Sequence, residues 1–229
     1  MKYDFHLHSA LSPCGDNDMT PNNIVGMAYV AGVKAIAITD HNTVGNVRAA
    51  QIAGEKLGVK VLAGMEIETA EEVHVLTLYP TLDIARQVGK IVYEHLPPIK
   101  NKPEIFGHQY YMNENDEIEG EEEKLLISPT TLSIEDIFNI VRDAGGFAAP
   151  AHIDRHSYSV LTNLGFIPEE LNAKWVEISY RVDSVDEYIK SRPDLAKYKV
   201  LRNSDAHYLK DIASREFHLP CEIEELFRK

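Results

Sequence analysis

Cysteine is scarce in this chain: Cys14 and Cys221 are the only two among 229 residues. Two thiols at opposite ends, behind an N-terminus (MKYDFHLH) with no apolar core and no small-residue cleavage site, argue against a disulfide framework and against a thiolate zinc site. Any metal is therefore expected on imidazole and carboxylate groups. Long apolar runs are missing too. The longest stretch built of apolar residues and Gly, residues 24–33, is ten residues long, against the ~20 that a bilayer-crossing helix needs. No membrane span is expected, and a cytoplasmic location is. Basic charge is also in deficit, with 23 Lys and Arg against 36 Asp and Glu for a net charge of −13. Residues 113–124 hold seven of the acids and one Lys, which leaves −7 on the rest of the chain. A chain this acidic repels polyanions, so duplex nucleic acid is not an expected partner, whereas a nucleotide or short oligonucleotide held at a local site is compatible.

What the sequence does have is an alternation of short apolar runs with amphipathic stretches, the pattern of successive βα units. Strands are predicted at residues 2–8, 34–39, 59–63, 73–78, 147–149, 175–179 and 199–202. Residues 3, 5 and 7 of the first are expected on one face, and Asp4, His6 and His8 on the other. Helices are predicted over residues 21–31, 44–57 and 82–95, then 133–144 behind a capping-box start at Ser133 and Asp136, then 185–190 and 222–227. Residues 96–131, rich in Pro, Asn and Glu, keep no sustained period and read as an insertion or lid. The acidic run 114–123 within it is expected to be a solvated loop. One domain over residues 1–229 is expected, an α/β fold of the distorted (β/α)7, TIM-like barrel kind. Such a barrel places its chemistry at the C-terminal ends of its strands.

The ten histidines meet that demand. His6 and His8 end the first strand, where residues two apart point the same way with Cα atoms ~6.5 Å apart, within reach of one ion at ~2.1 Å. Asp205 and His207 repeat that spacing after the last strand. His41 follows the second strand, Glu66 the third and His152 the fifth, while His74 lies in the fourth. Ligand-type residues at the edges of so many predicted strands point to a multinuclear metal site.

Asp4-Phe5-His6-Leu7-His8-Ser9, Thr39-Asp40-His41, Pro150-Ala151-His152 and Ser204-Asp205-Ala206-His207 resemble, in order, four motifs of the polymerase and histidinol phosphatase (PHP) family of metal-dependent phosphoesterases. The resemblance runs from residue 3 to about residue 210. It implies two or three divalent cations, with His6, His8, Glu66 and Asp205 on one and Glu66 bridging to a second that also takes His74 and His152. Asp16, His41 and His207 would hold the third. Asp18 is an alternative to Asp16, and His95 and His108 are alternatives to His74.

Phosphate esters are anionic and repel hydroxide, so their hydrolysis calls for cations that neutralise the ester oxygens and lower the pKa of water from 15.7 toward ~7. Mixed nitrogen and oxygen ligands suit manganese, iron or zinc. Glu66, His207 and Arg155 are the candidates for catalysis. Arg155, His156 and Arg181, just past strand ends, are placed to bind substrate phosphate, for which a bidentate guanidinium is well shaped. Tyr180 and the Tyr110–Tyr111 pair read as packing rather than base stacking, and Asp40 as a residue that orients a ligand imidazole. The function expected is hydrolysis of phosphate esters of a small nucleotide or phosphorylated metabolite. The rivals are an amidohydrolase-like metal hydrolase, which normally calls for a bridging Lys, and a catalytically silent metal-binding module.

Overall fold

Local signals in the sequence become elements where hydrogen-bonding residues close their ends. In the computed structural model, which describes residues 1–212, 214 and 216–228, strand β1 (Tyr3–Leu7) leads to helix α1 (Pro21–Val30), whose first turn is capped by Thr20 accepting from the Asn23 amide. Strand β2 (Ala35–Ile38) and helix α2 (Val47–Leu57) follow, and α2 ends on Gly58 at φ 72°, a conformation glycine adopts without steric cost. Next come β3 (Lys60–Glu68), β4 (His74–Tyr79) and α3 (Leu82–Glu94). Residues 96–131 carry a short α4 (Pro103–Phe106) and a hairpin of β5 (Tyr110–Met112) and β6 (Ile118–Glu121). The remainder comprises α5 (Ile134–Asp143), β7 (Phe147–Pro150), α6 (Val160–Asn163), β8 (Trp175–Glu177), α7 (Val185–Ser191) and β9 (Lys199–Leu201), with a closing 3₁₀ turn at Ile223–Phe227. At the start of α5 both hydrogen bonds of the predicted capping box, between Ser133 and Asp136, are formed.

The topology departs from the expected ring of parallel βα units. Five strands form one curled sheet in the order β1-β2-β3-β4-β7, and β8 pairs with β9 separately. Strands β1, β2 and β3 run parallel, but β4 is antiparallel to both β3 and β7. The cause is the connection between β3 and β4: residues 69–73 are too few for a crossover helix, so the chain must turn back as a hairpin. Closure is by local bonds rather than full ladders. Ile153 N–H reaches Glu177 C=O at 2.9 Å, and His8 N–H reaches Ala206 C=O at 3.1 Å beside a parallel bridge between Leu7 and Ala206. The observed architecture is a curled, partly closed half-barrel of mixed strand direction.

Two apolar clusters hold the sheet. One lies under the helices, with Ile24, Ile36, Ile38, Val47, Met65, Val88 and Phe138. The other joins Tyr3, Phe5, Ala37, Leu62, Leu76 and Trp175 to Phe217 and Leu219 of the C-terminal segment. A bulge between Asp4 and Leu7 breaks the simple alternation predicted for β1. Leu7 consequently packs with the helix-side cluster and not with Tyr3 and Phe5. Strand β3 also runs past its expected end at residue 63. Gly64 allows this, since a Cβ there would lie 2.8 Å from the Thr77 carbonyl of β4. The extension carries Glu66 inside the strand, two residues before its end.

Candidate metal centre

Because β4 runs backwards, its first residue, His74, lies at the same rim as the later part of β3 and faces Glu68 in register. Glu66, on the same face of β3, thereby becomes the focus of five imidazoles. Its Oε1 lies 2.9 Å from His74 Nδ1, 3.0 Å from His152 Nε2 and 3.2 Å from His6 Nε2. Its Oε2 lies 3.3 Å from His8 Nε2 and 3.4 Å from His41 Nδ1. Asp205 closes the group from the loop after β9, with Oδ1 3.2 Å from His8 Nε2 and 3.5 Å from His6 Nε2. His152 and Asp205 hold positive φ values of 29° and 51°. This is costly backbone geometry for a residue with a Cβ, and it is typical of positions where surrounding structure fixes a functional side chain.

Charge in this buried group is divided unevenly. Burial alone would raise the Glu66 carboxyl, but His74, His6 and His41 outweigh it and hold the group well below the usual carboxylate range. Burial opposes protonation of His74, yet Glu66 and Glu68 raise it to about 9. His6 is likewise driven up, against burial, by Glu177, Glu66 and Asp205. His207 goes the other way, lowered to about 4 by burial and by the charge on His8. His41 is also pushed down by burial.

Of the residues singled out in the sequence, His6, His8, His41, Glu66, His74, His152, Asp205 and His207 come together. Donor atoms of His6, His8, Glu66 and Asp205 lie within 4.8 Å of one another, as do those of His41, Glu66 and His74. Asp16 is not brought in. Its carboxylate turns back to accept the Asp18 amide at 2.9 Å, and Asp18 is itself exposed. Cys14 stands in its stead: donors of His8, Cys14, His41 and His207 form a third group within 4.8 Å. The expectation of imidazole and carboxylate ligands alone left out this thiol, which the fold sets beside three imidazoles. A single thiol needs no second cysteine once the fold supplies three imidazoles.

Arg155 reaches the centre, its Nη1 2.7 Å from Asp205 Oδ2. His156 and Arg181 are exposed, and the Arg181 guanidinium lies 5.9 Å from the Tyr180 ring. His95 caps its own helix through the Ile91 carbonyl, and His108 pairs with Glu121 at 2.8 Å, so neither replaces His74. Asp40 accepts from both the amide and the hydroxyl of Ser9 and from the Ser12 hydroxyl. It thus reaches a ligand only indirectly, through Ser12, which lies 3.1 Å from His8 Nδ1. The acidic hairpin is more than a solvated loop. Glu122 is buried and accepts from Tyr93 and Tyr111, while Asp116 accepts from Thr20 and Asn22.

The residue that sequence reasoning missed is Glu177. It is 1 % exposed, both of its oxygens lie 3.0 Å from His6 Nδ1, and it accepts from the His152 amide and from Asn203. Its signal was a lone carboxylate inside the apolar run Trp175-Val176-Glu177-Ile178, where burial without a partner would be prohibitive.

The donor set fits divalent cations. His6 Nε2, His8 Nε2, His41 Nδ1 and His74 Nδ1 are buried without a satisfied hydrogen bond. Buried polar atoms are rarely left so, and here they converge. Nitrogen and carboxylate donors with Nδ1 of His6 anchored by Glu177 are the composition of a histidine-carboxylate metal site.

Comparison with known proteins agrees with this geometry. A 5'-3' exoribonuclease of Haemophilus influenzae is 36% identical over 80 residues, which cover 34% of this chain and 28% of that protein. A phosphoribosyl 1,2-cyclic phosphate 1,2-diphosphodiesterase of Eggerthella lenta is 36% identical over 80 residues, 33% of this chain and 29% of that protein. The aligned segment thus spans less than a third of either relative. Among solved structures, a lesion-specific endonuclease of Pyrococcus furiosus shares the fold with a TM-score of 0.67 and 20% identity, over 92% of this chain and 49% of that one. The PHP domain family model matches residues 4–118, half of the chain; by that match, and by the ligand-bearing rim that the curled sheet assembles, the chain belongs to the PHP domain family.

Proposed function

We propose that this chain is a metal-dependent phosphoesterase that hydrolyses phosphate esters of a small nucleotide or phosphorylated metabolite. The observation that carries the reading is the buried Glu66 carboxylate ringed by five imidazoles within 3.4 Å, with unpartnered nitrogens aimed at it. His6, His8, Glu66 and Asp205 would hold one divalent cation, Glu66, His74 and His152 a second, and His41 and His207 part of a third. Bound cations would supply Lewis-acid charge to the ester oxygens and make water nucleophilic at neutral pH.

The chain's own residues complete the site. Arg155, a quarter exposed at the rim with its Nε buried and unpartnered, is placed to grip a phosphate oxygen entering from solvent. Glu177 fixes the ring of His6 so that its Nε2 faces Glu66 and Asp205. His207 stays neutral at pH 7, available as a ligand or as a proton acceptor at the rim. The groups that converge on Glu66 are imidazoles, whereas the amidohydrolase-like rival calls for a bridging Lys. The net charge of −13 favours small substrates over long nucleic acid. Related proteins named for RNA and cyclic-phosphate substrates support phosphodiester or monoester chemistry as the class.

The test is release of phosphate or alcohol from a panel of nucleotide and sugar phosphate monoesters, cyclic diesters, short oligonucleotides and duplex DNA. Chelator-stripped protein should be inactive and should regain activity with manganese, iron or zinc, while Glu66→Ala should lose metal and rate together. Full activity of stripped protein, or none with any metal and substrate, would overturn the reading. Preference for the duplex would overturn the choice of substrate class.

A further inference from the structure

We infer that the third cation position of this chain is a sulfur site, in which Cys14 with His41 and His207 binds zinc or ferrous iron in preference to manganese. The inference deepens the phosphoesterase reading and rests on it for the other two cation positions. Cys14 lies on the loop between β1 and α1, which the fold pins from several sides. Asp16 N–H donates to the His207 carbonyl at 2.9 Å, tying this loop to the one after β9. Gly15 sits so close under the turn that a Cβ would meet the Ser9 carbonyl at 2.5 Å, and a Cβ on Gly107 would meet the Pro13 carbonyl at 2.3 Å. Tyr110 N–H donates to the Ala10 carbonyl at 2.9 Å, so the β5–β6 hairpin clamps the same loop.

The thiol is not an isolated feature. Its sulfur lies within 4.8 Å of donor nitrogens of His8, His41 and His207. The His8 ring is 4.4 Å from the His207 ring and 4.7 Å from the His41 ring. His41 is 4% exposed, and its Nδ1 is buried without a partner. Ligand atoms in a tetrahedral zinc site, at ~2.1 Å for nitrogen and ~2.3 Å for sulfur, are about 3.6 Å apart, so small side-chain movements would bring these donors to bonding range. His8 Nε2 faces both Glu66 and Asp205, which leaves Cys14, His207 and His41, whose Nδ1 also lies 3.4 Å from Glu66 Oε2, as the donors of this position. Three protein ligands is the number found where a fourth position stays open for a reactant. Asp16 is not among the donors that converge here, and its Oδ1 accepts from the Asp18 amide. A thiolate donor shifts preference toward zinc and iron, whereas manganese favours oxygen.

The test is to load chelator-stripped protein with cobalt(II), count bound cobalt by elemental analysis, and read the near-ultraviolet charge-transfer band of a cobalt–thiolate bond. Wild-type protein should show the band, and Cys14→Ser should lose it together with about one equivalent of cobalt while keeping the rest. Asp16→Asn and Cys221→Ser should retain both band and stoichiometry. Cys14→Asp should restore the lost equivalent without the band, and its third equivalent should bind manganese at least tenfold more tightly, relative to zinc, than the wild type does. Zinc should also slow alkylation of Cys14 by iodoacetamide at least tenfold. Cobalt bound without a thiolate band, or the loss of an equivalent in Asp16→Asn, would overturn the sulfur site alone. Failure to bind any cobalt would overturn the metal reading and this inference with it.

Discussion

Glu177 does its work at one atom: its carboxylate accepts from His6 Nδ1, leaving Nε2 to face Glu66 and Asp205. Such partners orient a ligand ring and raise its basicity, and their loss typically weakens metal binding 10- to 100-fold. Glu177→Gln should therefore lower the affinity of the His6 position by that range, measured by competition with a chromogenic chelator. An unchanged affinity would show that β8 packing alone orients the ring. Arg155 poses a different question, because it touches the Asp205 carboxylate and also faces solvent. If it grips substrate phosphate, Arg155→Ala should reduce kcat/KM by roughly 30- to 150-fold, the equivalent of ~2 to 3 kcal/mol, with metal content intact. If it serves only to support Asp205, metal content should fall instead, and elemental analysis of the same preparation separates the two. A change under about threefold with full metal would make it an ordinary ion pair.

At the scale of elements, α5 shows how local chemistry sets a boundary. Ser133 accepts from the Asp136 amide, and Asp136 accepts in return from the Ser133 amide and hydroxyl. Those bonds hold the Asp136 carboxyl below its ordinary value of 3.8. A carboxyl lowered in the folded state contributes stability that is present above its unfolded pKa and is lost as pH falls through its folded one. Ser133→Ala should cost about 1 kcal/mol at neutral pH, a fall in Tm of ~2 to 4 °C, and the deficit should shrink below about pH 4. A deficit constant down to pH 2 would assign the loss to packing instead. The β3–β4 hairpin acts on the centre itself, since reversing β4 is what puts His74 opposite Glu68 and within 2.9 Å of Glu66.

For the whole molecule, the centre is a set of buried charges that the curled sheet forces together. Their mutual attraction holds the carboxyls of Glu66 and Asp205 down and pushes the imidazoles of His6 and His74 up. Bound cations would supply positive charge there in place of protons, and a ligand at 100 times its Kd adds ~2.7 kcal/mol to folding stability. Chelation should accordingly lower Tm by roughly 5 to 10 °C for a chain of this length, and added metal should restore it. Equal Tm values with and without chelator would mean that the folded chain does not hold the ions.

Much of this molecule was legible in its residues. Period-two spacing put His6 beside His8 and Asp205 near His207; Thr20, Gly58 and the Ser133–Asp136 pair marked helix ends; and the order of the motifs named the family. These are local matters, decided within a few residues by side-chain direction and backbone hydrogen bonding. The tertiary structure decided the rest. Five residues between β3 and β4 forced a hairpin where a parallel unit was expected. Cys14, and not Asp16, lies among the donors beside His8, His41 and His207 in a loop that a bond between Asp16 N–H and His207 C=O ties to a distant part of the chain. Glu177 became a partner of His6 only when β8 was laid beside the end of β7, bringing two residues 171 positions apart in sequence to 3.0 Å. Spacing along a chain fixes which way neighbours point, whereas a metal centre is assembled by contacts between strands, and those contacts form only as the sheet curls.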